Sequence, residues 1–130
     1  MDVIEVSSQR RRQLVDVTSF VQQSVAGSGV ADGVCHVFVP HTTAAVCLNE
    51  NADPDVVDDL LAGFEALVPD IRFRHAEGNS DAHLLSSLIG TSVAIPLSDG
   101  ELRLGRWQAI YLTELDGPRK RELWLTCVRT

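Results

Sequence analysis

The sequence predicts an α+β domain built mainly from antiparallel strands. Three observations carry that expectation. Helical and strand-like patterns are segregated, with only strands from Thr91 onward, which favours α+β over a wound parallel sheet. Residues 53–69 hold a capped amphipathic helix. Several strands are apolar along their whole length, so both sheet faces should be covered, by helices or by another subunit.

Taken in order, Val3–Val6 and Leu14–Val17 read as short strands around a polar turn. Arg10-Arg11-Arg12, a basic run, falls there and reads as a solvated hairpin end. Thr18 or Ser19 starts a helix to about Ala26, with Ser19 and Gln22 spaced as a capping box and Gly27-Ser28-Gly29 as its stop. Val34–Pro40 is a buried strand delivering His41 at its end. Ala44–Asn49 is expected to pair with it through the His41-Thr42-Thr43 corner. Period two places Val46, Leu48 and Glu50 on one face and Ala45, Cys47 and Asn49 on the other.

Asp53 caps the next helix, Pro54 takes its first position, and Asp55, Asp58 and Asp59 suit its positive end. Val56, Val57, Leu60, Leu61, Phe64, Leu67 and Val68 form the apolar stripe, and Pro69 ends it. After the Gly78-Asn79 turn, Ser80 or Asp81 caps a helix to Leu88 that carries His83 in or near its first turn. Strands follow at 93–97, 102–104, 107–115 and 121–129, with turns at Ser98-Asp99-Gly100 and Asp116-Gly117-Pro118.

Composition narrows the function classes. The 130 residues suit one domain with its own core. A net charge of −7 argues against nucleic-acid backbone binding, which needs a basic surface. No apolar stretch is long enough to cross a bilayer, and residues 1–5 lack the start of a signal peptide, so the expected location is cytoplasmic. Cys35, Cys47 and Cys127 sit in apolar strands without metal-ligand spacing and read as core. Phosphate-loop, dinucleotide-binding and nucleophile-elbow motifs are absent.

Three histidines stand apart from the apolar runs: His41, His75 and His83, each close to Asn, Glu or Asp. Imidazole is both the commonest metal ligand and the usual acid–base group near neutral pH. Three of them with a vacant position make a catalytic zinc set, if the fold joins them; the alternative is that each merely ends an element. His36 lies within an apolar strand and reads as a strand residue. A carboxylate such as Glu50 or Glu77 could orient a ligating histidine or act as a base; Asp53 and Asp81 have capping work, a reading that is weaker for Glu50, Glu77 and Asn79. Gln108 and Glu114 fall on one otherwise apolar strand face and need partners, from a ligand, a neighbouring subunit or the chain. Arg119 and Arg121, two apart, could grip a phosphate from one side of their strand.

The blocks H-T-T-A-A-V-C-L-N-E-N-A-D-P, H-A-E-G-N-S-D-A-H-L and I-P-L-S-D-G-E-L-R-L-G-R-W-Q-A-I-Y-L-T-E-L-D-G-P-R-K-R together resemble the YjbQ family, nearly end to end. Members are described as secondary thiamine-phosphate synthases. The resemblance implies an α+β sandwich, mostly antiparallel, with two to three helices, assembling as a homotrimer with a polar site near its interfaces. It implies a divalent metal on His41, His75 and His83; three imidazoles favour a zinc-like ion, while diphosphate chemistry also admits magnesium. The implied reaction joins hydroxymethylpyrimidine diphosphate to thiazole phosphate, giving thiamine phosphate and pyrophosphate. For that reaction the candidate catalytic residues are Glu50, Gln108 and Glu114, and the candidate substrate-binding residues are Asn49, Asn79, Arg119 and Arg121. Competing readings are a metal-dependent hydrolase of a small phosphorylated compound and a non-catalytic ligand-binding or scaffolding trimer.

Overall fold

Alternating apolar residues and three amphipathic segments produce eight strands and three helices in the computed structural model, which describes residues 1–130. The order is β1 (Asp2–Ser7), β2 (Gln13–Asp16), α1 (Thr18–Ser28), β3 (Gly33–Phe38), β4 (Ala44–Glu50), α2 (Pro54–Leu67), α3 (Ser80–Ile89), β5 (Ser92–Ser98), β6 (Glu101–Leu102), β7 (Gln108–Glu114) and β8 (Lys120–Arg129). All pairings are antiparallel. One sheet has the order β1-β8-β3-β5-β6 and the other β2-β7-β4. The α+β expectation holds.

The main core lies between the sheets and is closed by α1. It joins Val37, Ile95, Leu123 and Leu125 of the larger sheet to Val46, Ile110 and Leu112 of the smaller one and to Val21 and Val25 of α1. The outer face of the smaller sheet is covered by α2 and α3: Ala45 packs with Ala82 and Leu85, and Tyr111 with Val57, Leu60 and Leu61. Burying such a side chain stabilises by about 1.5–3 kcal/mol, so the double covering explains the continuous apolar runs of β4 and β7. The larger sheet has no such cover in the single chain. Its outward row leaves Val3 49%, Phe38 36% and Val128 56% exposed.

α2 begins as its residues predict, with the Asp53 carboxylate accepting from Asp55 N at 2.9 Å and Pro54 at the first turn. α1 differs. It runs through Gly27 and Ser28 to a left-handed Gly29, and no capping box forms. The Gln22 side chain instead accepts from Leu102 N (3.0 Å) and donates to Gly100 O (3.1 Å), tying α1 to the β5–β6 turn. Asp16 does the local capping, accepting from Thr18 N and Oγ1.

Two expected hairpins are not formed. β1 pairs with β8 while β2 pairs with β7, so Arg10-Arg11-Arg12 bridges two sheets and is no solvated hairpin end. Arg12 has a side chain only 7% exposed and ion-pairs with Glu65 (2.9 Å) and Asp81. Likewise β3 pairs with β5 and β8, and β4 with β7; the His41-Thr42-Thr43 corner carries the chain from one sheet to the other. Pro40, with no N–H to offer a ladder, marks that departure.

Candidate functional site: a histidine cleft at the sheet-switching corner

The position of His41 follows from the corner. Beyond the Phe38–Trp124 pair the β3–β8 register would set residue 40 opposite Glu122. The chain has turned away by then, and the Glu122 N–H donates to His41 Nε2 at 2.9 Å instead. The imidazole thus completes the ladder in place of a backbone carbonyl. With a donor facing Nε2, the neutral ring must carry its proton on Nδ1. Burial, then the nearby Arg121 guanidinium, lowers the His41 pKa below its ordinary 6.5, so that neutral form dominates at pH 7.

Facing this corner, α3 presents His83, Ser86 and Ser87 at the 0, 3, 4 spacing of a single helix face, and Gly90 follows just past its end. Ser86 Oγ donates to Ala44 O at 2.8 Å and so pins α3 to the first residue of β4. Ser87 Oγ donates to His83 O at 2.9 Å. Together with His41, Thr42 and Thr91, these four residues line a cleft of about 390 Å³ that has no hydrophobic residue in its lining. His75 stands outside that lining but meets His83 edge-on, with ring centroids 5.5 Å apart. A sequence reading finds the histidines and misses Thr42, Ser86, Ser87, Gly90 and Thr91. The helical spacing H-x-x-S-S-x-x-G (83–90) was the available signal.

Do these residues suit a metal ion? The 5.5 Å centroid separation of His75 and His83 is compatible with it: two imidazoles on one tetrahedral ion, with Zn–N near 2.0–2.1 Å, have centroids roughly 5–5.5 Å apart. His41 does not complete the set as it stands, because its deprotonated nitrogen is engaged by the Glu122 N–H. No three His, Cys, Asp or Glu side chains of the chain converge on one point.

The remaining candidates fall into two other places. Glu114 and Arg121 form a buried ion pair behind the corner, their side chains 0% and 3% exposed. The carboxylate accepts from Ser8 Oγ (2.6 Å), Leu115 N (3.0 Å), Asp116 N (3.0 Å) and Arg121 Nη2 (2.6 Å). Arg121 Nη2 also donates to Thr43 O and Oγ1, both at 2.9 Å. Burial pushes the Glu114 carboxyl up, but the Arg121 and Ser8 hydrogen bonds outweigh it and hold the group below its ordinary 4.5. A Cβ on Gly117 would lie 2.6 Å from Ser8 Oγ and 2.7 Å from Glu114 Cγ, so only glycine lets the β7–β8 turn close over the pair. Gln108 and Glu114 both find partners within the chain: Gln108 Oε1 accepts from Gly105 N at 2.7 Å.

Arg119 and Arg121 do not share one side. Arg119 precedes β8 and is half-exposed, with Nε donating to Asp116 O (2.9 Å) and Nη2 to Asp116 Oδ2 (3.2 Å). Asn79 Nδ2 donates to the same carboxylate oxygen at 2.9 Å, while Asn79 Oδ1 is buried and accepts nothing within the chain. Glu50, Asn49 and Gln108 lie at the other end of the β4–β7 ladder from Ala44 and Glu114. Six residues along a strand is roughly 20 Å, so one chain does not bring them to the histidine cleft.

Comparison with known proteins agrees with the motif blocks. Residues 2–130 match the family model described as UPF0047 protein YjbQ-like. The UPF0047 protein MJ1081 of Methanocaldococcus jannaschii is 43% identical over 125 residues, covering 95% of this chain and 91% of its own length. YugU of Bacillus subtilis, another UPF0047 protein, is 38% identical and is covered to 96%, as is this chain. Among solved structures, an uncharacterized YjbQ/UPF0047 protein of Clostridium acetobutylicum superposes with a TM-score of 0.94 at 43% identity, over 98% of this chain and 100% of that one. The conserved hypothetical protein TT1486 of Thermus thermophilus gives 0.90 at 41% identity, over 98% and 100%. By sequence along its whole length, and by fold, the chain belongs to the UPF0047 (YjbQ-like) family.

Proposed function

We propose that the chain is a homotrimeric enzyme of the secondary thiamine-phosphate synthase type, acting on small phosphorylated substrates at the cleft between His41 and His83. One observation carries the reading: two histidines distant in sequence line a single cleft that no hydrophobic residue enters, with a third imidazole against one of them. The His41 Nδ1–H would donate to an oxygen of the departing diphosphate, and its depressed pKa keeps that donor neutral at pH 7. The half-exposed Arg119 is the candidate for orienting substrate, and Asn79 would act through it by holding Asp116.

His75 and His83 would hold a zinc-like ion, with magnesium as the alternative; such an ion supplies Lewis-acid stabilisation of the leaving diphosphate. The trimer is supported by the uncovered outer row of the larger sheet, Val3, Phe38 and Val128. Glu50, Asn49 and Gln108 would reach a cleft only from a neighbouring copy. The cleft's small volume and lack of hydrophobic lining residues favour a second reading, a hydrolase of one phosphorylated compound.

The decisive experiment begins with metal content of protein purified without chelator, then follows product release. Pyrophosphate released only when hydroxymethylpyrimidine diphosphate and thiazole phosphate are both present is the expected result. His41→Ala and His83→Ala should each lower the rate by about 10²-fold or more. Phosphate released from a single substrate selects the hydrolase. Release of neither product from the metal-loaded assembly overturns the enzymatic reading.

A further inference from the structure

We infer that Cys35 and Cys127 are a redox-responsive dithiol, which a small disulfide converts to a bridge between β3 and β8. The two residues are directly opposite in the antiparallel ladder. The hydrogen-bond phase fixes the kind of pair. Thr130 N donates to Asp32 O, so residues 32 and 130 are a hydrogen-bonded pair, and alternation makes 35 and 127 a non-hydrogen-bonded one. On its other side β3 is in the complementary phase, with Val39 N donating to Thr91 O. Non-hydrogen-bonded pairs bring Cα atoms to roughly 4.5 Å, within the disulfide range of about 4.4–6.8 Å. Both residues belong to the inward row of the sheet: Cys35 is buried, and Cys127 packs against the same core.

Access is asymmetric. The β1–β8 pairing stops at Asp2–Leu125, so Cys127 lies beyond the end of β1. There it lines an open cleft of about 810 Å³, with Ile4, Phe20, Gly27 and Val30. Burial, and then the neighbouring Cys127 thiol, pushes Cys35 up to about 12. Cys127 is therefore the thiol that reacts first, and Cys35 the one that resolves.

In the first step the Cys127 thiolate attacks one sulfur of a small aliphatic disulfide, forming a mixed disulfide and expelling one thiolate. Cys35 sulfur then attacks Cys127 sulfur, and its proton passes to the second departing thiolate. Two protein S–H bonds are lost and one S–S bond forms. The oxidant's disulfide is reduced to two thiols, so electrons balance. Cys47 is the internal control: it is opposite Tyr111 in the other sheet, with Sγ 3.4 Å from Thr113 Oγ1.

The test uses the reduced, folded full chain and glutathione disulfide. Accessible thiols in denaturant should fall from the three of the reduced chain to one, with a non-reducing digest yielding the Cys35–Cys127 peptide. Cys35→Ser should stop at a glutathione adduct on Cys127, and Cys127→Ser should leave Cys35 unmodified. A folded wild-type chain that keeps all three thiols, or that bridges through Cys47, overturns the inference. So does a Cys127→Ser variant that is modified at Cys35 as fast as the wild type.

Discussion

The Glu114–Arg121 pair and the His41–His83 cleft are neighbours at the same corner, yet they treat polar groups in opposite ways. In the first, a carboxylate and a guanidinium are sealed from water and every carboxylate oxygen has partners, from Ser8, Leu115, Asp116 and Arg121. In the second, the His83 ring makes no hydrogen bond within the chain, His41 uses only Nε2, and the lining is open to solvent. A saturated buried network holds a fold together, because removing a member leaves charge stranded. Unsaturated polar groups converging on a cleft have capacity left for a ligand. Hydrogen-bond saturation, more than residue type, separates the two places.

That contrast is open to direct attack. The largest effect should come from Arg121→Met, which strands Glu114 in the interior and should cost about 3–5 kcal/mol, read from the denaturant midpoint. Adding Glu114→Leu should return only part of the loss: no charge is stranded, but Ser8 Oγ, Leu115 N and Asp116 N lose their acceptor. A single variant near wild-type stability would break the contrast.

Acid should act next. The Glu114 and Asp81 carboxyls are held below their ordinary values, so their contribution is present above those values and lost as pH falls through the folded ones. His41, also lowered, works in the same direction: the unfolded chain takes up its proton first, so stability begins to fall below the ordinary 6.5. The urea midpoint should decline in two stages, a first one below 6.5 and a second below the carboxyl's ordinary 4.5. A midpoint that rises on acidification contradicts both assignments.

Smaller again is Asp53→Ala, which removes the α2 cap and should cost about 1 kcal/mol in thermal or chemical unfolding. Smallest is His83→Ala. The cleft being unsaturated, its stability should stay within about 0.5 kcal/mol of wild type even as any activity there disappears. A large loss of stability would place His83 with the structural network instead.

Much of the fold was legible locally. The Asp53-Pro54 start of α2 and the apolar runs of β4 and β7 depend on neighbours in sequence. Partners across the chain were not legible. Ser19 and Gln22 have capping-box spacing, yet Gln22 is taken by backbone groups of Gly100 and Leu102, 78 and 80 residues away. Glu114, Arg119 and Arg121 are all charged residues beside a turn, and nothing in their order says that Arg121 turns inward while Arg119 stays half-exposed.

The sequence by itself determined most of the elements and the family, because propensity, capping and motif are carried by adjacent residues. Tertiary structure alone decided that the two corner-joined strands lie in different sheets, that His41 stands in for a missing ladder carbonyl, and that α3 turns His83 toward it. Those outcomes depend on which distant backbone groups are left without partners once the sheets have paired, and that is a property of the assembled chain.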